Sequence, residues 1–434
     1  MTGDTTTFTK LRDAHIHLHW HGEELSQLNL ADCASREECL ERISAFASDK
    51  PKDQWIIASA ARTEGWIDPM WPTASQLDDA AGGRPCFIRS IDHHSLCAGN
   101  EALRRAKITA NTDPGRGAVV LDQAGAPTGV LLEEACFLIS KALPEPTPAQ
   151  RKETLRAAIR DLAARGFVEV HDMLSEPWLG PALAEIDDED GLPLKVLLHA
   201  PLADIRAAAD AAPSYQRDNI RLAGAKLFSD GALNSRTAWM LEPYADPLPD
   251  NPRGVAMYTP AELLNAVRTC DAIGLPMAIH AIGDGAVRAV LDAIEQAAPK
   301  TPGFRIEHCQ FVDEADIPRF ATMNIIASMQ PCHLLTDIEA LRRLTPHRLH
   351  RAFPVRDLIE SARSAGRDPA ELVWLGSDTP VVPPNPQDNI QGAVNRRRAG
   401  MPKTEAIAPE QAITRKEALA CMKAVTASKA ETMS

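Results

Sequence analysis

From about residue 167 onward, short apolar runs alternate with alanine-rich stretches of helical character, the pattern of βαβ units that build a parallel sheet. The runs are Phe167–Met173, Leu194–Leu202, Ala225–Ser229, Pro276–Ile282, Arg305–Phe311, Ile325–Gln330 and Leu372–Gly376, and the histidine-bearing segment Leu11–His19 precedes them all. Eight strands predict a (β/α)8 TIM barrel of the α/β class. Several runs are apolar on both faces and then stop at polar residues: His171-Asp172, Asp230-Gly231, His280, His308, Gln330 and Ser377-Asp378. In such a barrel these C-terminal strand ends form the mouth of the active site. A doubly wound sheet would also bind ligands at its strand ends, but six polar clusters from six strands fit a closed ring better.

Between the first strand and Phe167 the period changes. Trp55–Ala61, Cys86–Ile91 and Ala118–Leu132 read as strands separated by helical stretches, with Asp122-Gln-Ala-Gly125 as a hairpin turn. The expectation is one barrel spanning residues 1–434 with an insertion at 50–135 that covers the active site, because loops at a barrel mouth carry specificity. The proline-rich segments Pro144–Pro148 and Pro380–Pro386 read as loops.

Composition narrows the partners. The 434 residues are 44% hydrophobic and 24% charged, as in an ordinary globular protein, and a net charge of −13 with no basic run argues against nucleic acid or an anionic membrane. No signal-peptide pattern opens the chain and no apolar stretch approaches the roughly 18 residues of a membrane span, so a cytoplasmic location is expected. Nine cysteines without a C-x-x-C pair suggest neither a disulfide framework nor a cysteine zinc site; they read as small buried apolar residues.

The chemistry centres on histidines. On a strand, His15 and His17 would share a face about 6.5 Å apart and converge on one metal. His19 and His21 continue the alternation, so the pattern alone does not choose the pair. A single histidine is usually structural, whereas four alternating ones are hard to explain by packing. Lys226 sits in mid-strand, where an ammonium needs compensation. An ion pair with Asp230 or Asp378 is one answer, favoured by the residues alone; carbamylation to an anionic oxygen ligand is the other. His280 and His308 end their strands and would add the neutral nitrogen ligands zinc favours. Asp378 would add a carboxylate, though taken alone it reads equally well as a cap. Such a site would lower the pKa of a bound water and polarise a carbonyl, with a carboxylate such as Asp378 moving the proton. There is no Gly-x-Ser-x-Gly elbow, Gly-x-Gly-x-x-Gly fingerprint or Walker loop.

Asp13-Ala-His15-Ile-His17, Lys226-Leu-Phe-Ser-Asp-Gly231, His280-Ala-Ile-Gly-Asp284, Arg305-Ile-Glu-His308 and Gly376-Ser-Asp378 together resemble the amidohydrolase superfamily. Asp230-Gly-Ala-Leu-Asn-Ser-Arg-Thr237, Ser328-Met-Gln-Pro331 and Gly129-Val-Leu-Leu-Glu133 resemble its YtcJ-type branch, which includes N-substituted formamide deformylases. The resemblance implies His15, His17, Lys226, His280, His308 and Asp378 as metal ligands. It further implies a carbamylated Lys226, one or two divalent ions, most often zinc, and Asp378 as general base. It implies that His93 or His94, His171, Arg236 and His333 face the substrate; each could equally be a structural polar residue. The expected reaction is cleavage of the carbon–nitrogen bond of a small amide by metal-bound hydroxide. Rivals are a metal-assisted isomerase or esterase on the same site, and a silent barrel that only binds a small molecule. Self-association into a homo-oligomer stays open.

The pattern departs from the branch at both ends. Members carry a small β-sandwich from segments flanking the barrel, whereas fourteen residues precede His15 here and the chain stops at Ser434, soon after the helical Lys416–Lys423 stretch. A barrel without the sandwich is therefore expected. The Pro-Gly-Phe-Ile lead-in to the first strand is replaced by Phe8-Thr-Lys-Leu-Arg12.

Overall fold

The computed structural model describes residues 8–90, 95–115 and 117–424. The chain divides into two compact units, Met1–His21 with Arg151–Ser434, and Gly22–Gln150. In chain order the strands are β1 (Leu11–Ile16), β2 (Leu28–Asn29), β3 (Ile56–Ala61), β4 (Cys86–Ser90), β5 (Ser95–Ala98), β6 (Ala118–Leu121) and β7 (Pro127–Leu132). There follow β8 (Phe167–Met173), β9 (Lys195–Pro201), β10 (Ile220–Phe228), β11 (Met277–Ala281), β12 (Arg305–His308), β13 (Ile326–Met329) and β14 (Val373–Leu375).

The first unit is the eight-stranded parallel barrel, in the order β1-β8-β9-β10-β11-β12-β13-β14. Its ends meet just beyond β14. Ile16 bridges Thr379 in parallel, the Asp378 N–H donates to the His15 carbonyl at 2.7 Å, and the His17 N–H donates to the Thr379 carbonyl at 2.8 Å. Helices cover the outer face, which is why strands such as β11 are buried at every position. The helix Pro260–Ile273 shows how the sequence writes one. Thr259 and Glu262 form a capping box, Pro260 opens the first turn, and Gly274 ends it in the left-handed region at φ 74°. Between these stops Leu263, Ala266, Val267 and Cys270 recur at helical spacing and are buried in the barrel core.

The second unit carries its own six-stranded sheet, ordered β2-β3-β4-β5-β7-β6, and two hydrophobic clusters. The turn expected at Asp122–Gly125 is present. The Asp122 carboxylate accepts from the N–H groups of Ala124 and Ala126, and Gly125 takes φ 80°. This unit runs from Gly22 to Gln150, wider than the 50–135 insertion drawn from the sequence.

One expectation fails in detail. The first strand was expected to run from Leu11 to His19, but β1 ends at Ile16 and a helix spans Leu18–Leu25. Asp172, at the end of β8, accepts the Leu18 N–H at 2.6 Å and so caps that helix. His19 and His21 therefore leave the strand alternation. His21 instead bonds Asp161 at 2.9 Å and Thr379 at 3.1 Å. All nine cysteines are free and buried, as expected. Among the described residues no helix is long and apolar enough to cross a membrane.

Candidate metal centre

At the barrel mouth His15 Nε2 lies 3.3 Å, and His17 Nε2 3.2 Å, from the same oxygen, Asp378 Oδ1. Their other ring nitrogens are engaged, His15 Nδ1 with Glu307 Oε2 at 2.7 Å and His17 Nδ1 with the Met173 carbonyl at 2.9 Å. A carboxylate and a carbonyl only accept, so in the neutral rings both Nδ1 atoms carry the proton and both Nε2 lone pairs face Asp378. Three electron-pair donors then converge with no hydrogen between them, and a divalent cation satisfies all three. His308 joins the group, because one ligand atom each from His15, His308 and Asp378 lie within 4.8 Å of one another. The His280 ring is 4.5 Å from that of His308, and its Nε2 donates to the Gly231 carbonyl at 2.9 Å, which leaves Nδ1 as its lone-pair nitrogen.

Burial sets the charge states. It pushes His15 well below the ordinary imidazole range, with the Lys226 ammonium adding to the shift; His308 is depressed by burial and by His280 and His15. Burial lowers Lys226 to about 8, and its Nζ has no hydrogen-bond partner among the described residues. The ion pair favoured by the residues alone is not made. Asp230 accepts instead from the N–H groups of Trp239, Ile282 and Gly283 at 2.8 to 3.0 Å. Burial pushes the Asp378 carboxyl up, whereas positive charge among the neighbouring His15, His17 and His333 groups pulls it down by more, so a cation at this point favours the carboxylate.

The backbone serves this arrangement. His308 and Asp378 both adopt the left-handed region, at φ 70° and 62°, where non-glycine residues are strained and cluster at functional sites. Gly376 lets β14 approach β1: a Cβ there would lie 2.6 Å from the His15 nitrogen and 2.8 Å from Asp13 Oδ1.

The remaining candidates separate. His333 stands beside the centre, its Nε2 3.1 Å from the Ser377 carbonyl and 3.8 Å from Asp378 Oδ2. Arg236 pairs with Asp246 at 2.8 Å. His171 is buried, with Nδ1 3.0 Å from Arg305 and its ring 5.6 Å from that of His199. His93 and His94 lie outside the described residues. Sequence reading missed Glu307, Arg305 and His199. The signal for the first two was present as opposite charges at i and i+2 on one strand, which places both on the same face.

Burial, with Arg305 adding, holds His171 and His199 well below the ordinary value of 6.5. An unfolded chain takes up protons below that pH while the folded rings stay neutral. The stability they contribute is therefore present above pH 6.5 and lost as the pH falls. His199→Gln is expected to flatten the loss of stability between about pH 6.5 and 5 by up to about 1.4 kcal/mol per pH unit. Chemical denaturation at stepped pH measures it, and an unchanged slope contradicts the assignment.

The sequence profile of the amidohydrolase family matches residues 11–434. A Bacillus subtilis (strain 168) protein, YtcJ, assigned by name to the amidohydrolases, is 32% identical over 395 residues, covering 89% of this chain and 72% of that protein. The N-substituted formamide deformylase of Arthrobacter pascens is 25% identical over 431 residues, covering 94% and 76%. Among solved structures, an uncharacterized metal-dependent hydrolase from Pyrococcus horikoshii OT3 superposes with a TM-score of 0.74 at 25% identity, covering 94% of this chain and 78% of that one.

Proposed function

Because the chain belongs to the amidohydrolase family and is thus a hydrolase, we propose that it cleaves the carbon–nitrogen bond of a small amide with one or two divalent ions, zinc foremost. The observation that carries this reading is the convergence of the His15 and His17 Nε2 atoms on Asp378 Oδ1. His15, His17, His280, His308 and Asp378 would hold the metal. Lys226 would join them as a carbamate: its neutral amine adds carbon dioxide, a nitrogen–carbon bond forms and a proton leaves, so that a buried cation becomes an anionic oxygen ligand. A depressed pKa and the lack of a hydrogen-bond partner favour that reaction.

A bound divalent ion would bring the pKa of a water molecule toward neutrality and polarise the substrate carbonyl. The chain supplies the rest. Asp378, ionised and at the mouth, takes the proton released by the attacking water and returns it to the departing nitrogen. Glu307 and the Met173 carbonyl keep the His15 and His17 rings in the Nδ1-protonated form. His333, beside Asp378, faces the substrate.

Protein purified with zinc present is expected to carry stoichiometric divalent ion and to hydrolyse members of a panel of amides and lactams. Chelation removes metal and turnover together, and zinc restores both. Absence of a stoichiometric ion, or turnover that survives chelation, overturns the reading.

A further inference from the structure

The candidate ligands differ in what holds their second nitrogen. His17 and His280 bond backbone carbonyls, of Met173 and Gly231. His15 bonds a carboxylate, Glu307, at 2.7 Å, with both side chains almost wholly removed from solvent at 1% and 0% exposure. Glu307 is itself gripped by Arg305, two residues back on β12, through Nε and through Nη2 at 3.0 Å. Arg305 also donates to the carbonyl of Ala14, the residue before His15, to Ser328 Oγ on β13 at 2.9 Å, and approaches His171 on β8 at 3.0 Å.

We propose that Glu307, fixed by Arg305, is the positioning residue for His15, setting its tautomer and ring angle so that Nε2 is presented to a divalent ion. The inference rests on the metal reading of the site and extends it to two side chains that touch neither substrate nor metal. Three features carry it. Arg305 reaches His15 twice, through the backbone before it and through Glu307 on its ring, so ring and strand are located by one guanidinium. The acceptor on Nδ1 is anionic, which makes the imidazole a stronger electron donor than the carbonyl-bound rings. An ion pair formed only to neutralise Arg305 would not need a third partner at 2.7 Å, yet Glu307 Oε2 serves both Arg305 and His15.

The test compares zinc affinity, by chelator competition, in wild type, Glu307→Gln and Glu307→Asp. Gln keeps the shape and an acceptor but not the charge; Asp keeps the charge but stands one methylene back from His15. Both variants are expected to bind zinc roughly 10- to 100-fold more weakly, with the metal-free Gln variant destabilised because the buried Arg305 loses its counter-charge and the Asp variant, which keeps that charge, destabilised less. In cobalt-substituted protein the visible absorption bands are expected to shift, a response that a role in fold stability alone would not produce. Wild-type affinity and an unchanged cobalt spectrum in both variants overturn the proposal. So does failure of both metal-free variants to fold, which makes the Arg305–Glu307 pair a strut of the barrel. If wild type binds no zinc, the metal reading itself fails, a result distinct from either.

Discussion

Asp378→Asn is expected to lower kcat by about 10²- to 10⁴-fold on any amide the wild type turns over, with KM changed far less. The residue is 7% exposed, follows the last barrel strand at φ 62°, and has its N–H bonded to the His15 carbonyl. Asparagine tolerates that left-handed backbone better than most residues, so the variant should fold and keep the barrel closed. The amide keeps the volume and one acceptor oxygen but loses the negative charge and cannot take up the proton of a water. Kinetics run beside metal analysis separate the two roles given to this residue. Reduced kcat with metal retained marks the base; loss of both marks the ligand. An Asn variant that holds metal and keeps full activity removes Asp378 from the mechanism.

The parts of the molecule that were legible follow from where it buries its strands. β8 was located to the residue, and β11, β12 and β13 to within a few positions, because a barrel strand covered by helices is apolar on both faces and ends abruptly at the mouth. The same rule located His280, His308 and Asp378 as interruptions in apolar runs. What escaped depended on partners distant in sequence. β1 stops at Ile16 because Asp172 caps the next helix, a contact across 154 positions. β5 is four residues long and β2 is two, too short to show a period. Glu307 and Arg305 look like an ordinary charged pair until β1 is folded against them. Lys226 was the sharpest divergence between residue chemistry and fold: a buried ammonium argued for an ion pair, yet Glu307 and Asp378 act on it without forming one among the described residues, and its Nζ lies 4.8 Å from the Phe228 ring.

Lys226→Met is expected to move stability and function in opposite directions. The lysine is 2% exposed, burial lowers its pKa to about 8, and its Nζ has no hydrogen-bond partner among the described residues. Because the folded value is depressed below the ordinary 10.5 of a lysine, the folded state is penalised at neutral pH, and the penalty fades only as the pH rises through that window. An apolar side chain of similar length removes it, so the metal-free variant should be more stable by about 1–4 kcal/mol, the range seen when buried charges are replaced by packed hydrophobes. The same change deletes the anionic ligand that carbamylation would supply, so stoichiometric metal binding and turnover should both collapse. Wild-type protein given ¹³C-bicarbonate should show a carbamate carbon resonance that the variant lacks. A merely structural lysine predicts neither the resonance nor the loss of metal, and a variant that keeps its metal and its rate would remove Lys226 from the centre. The pairing of a gain in metal-free stability with a loss of metal is what distinguishes a lysine kept for chemistry from one kept for the fold, since the barrel alone would be better served without it.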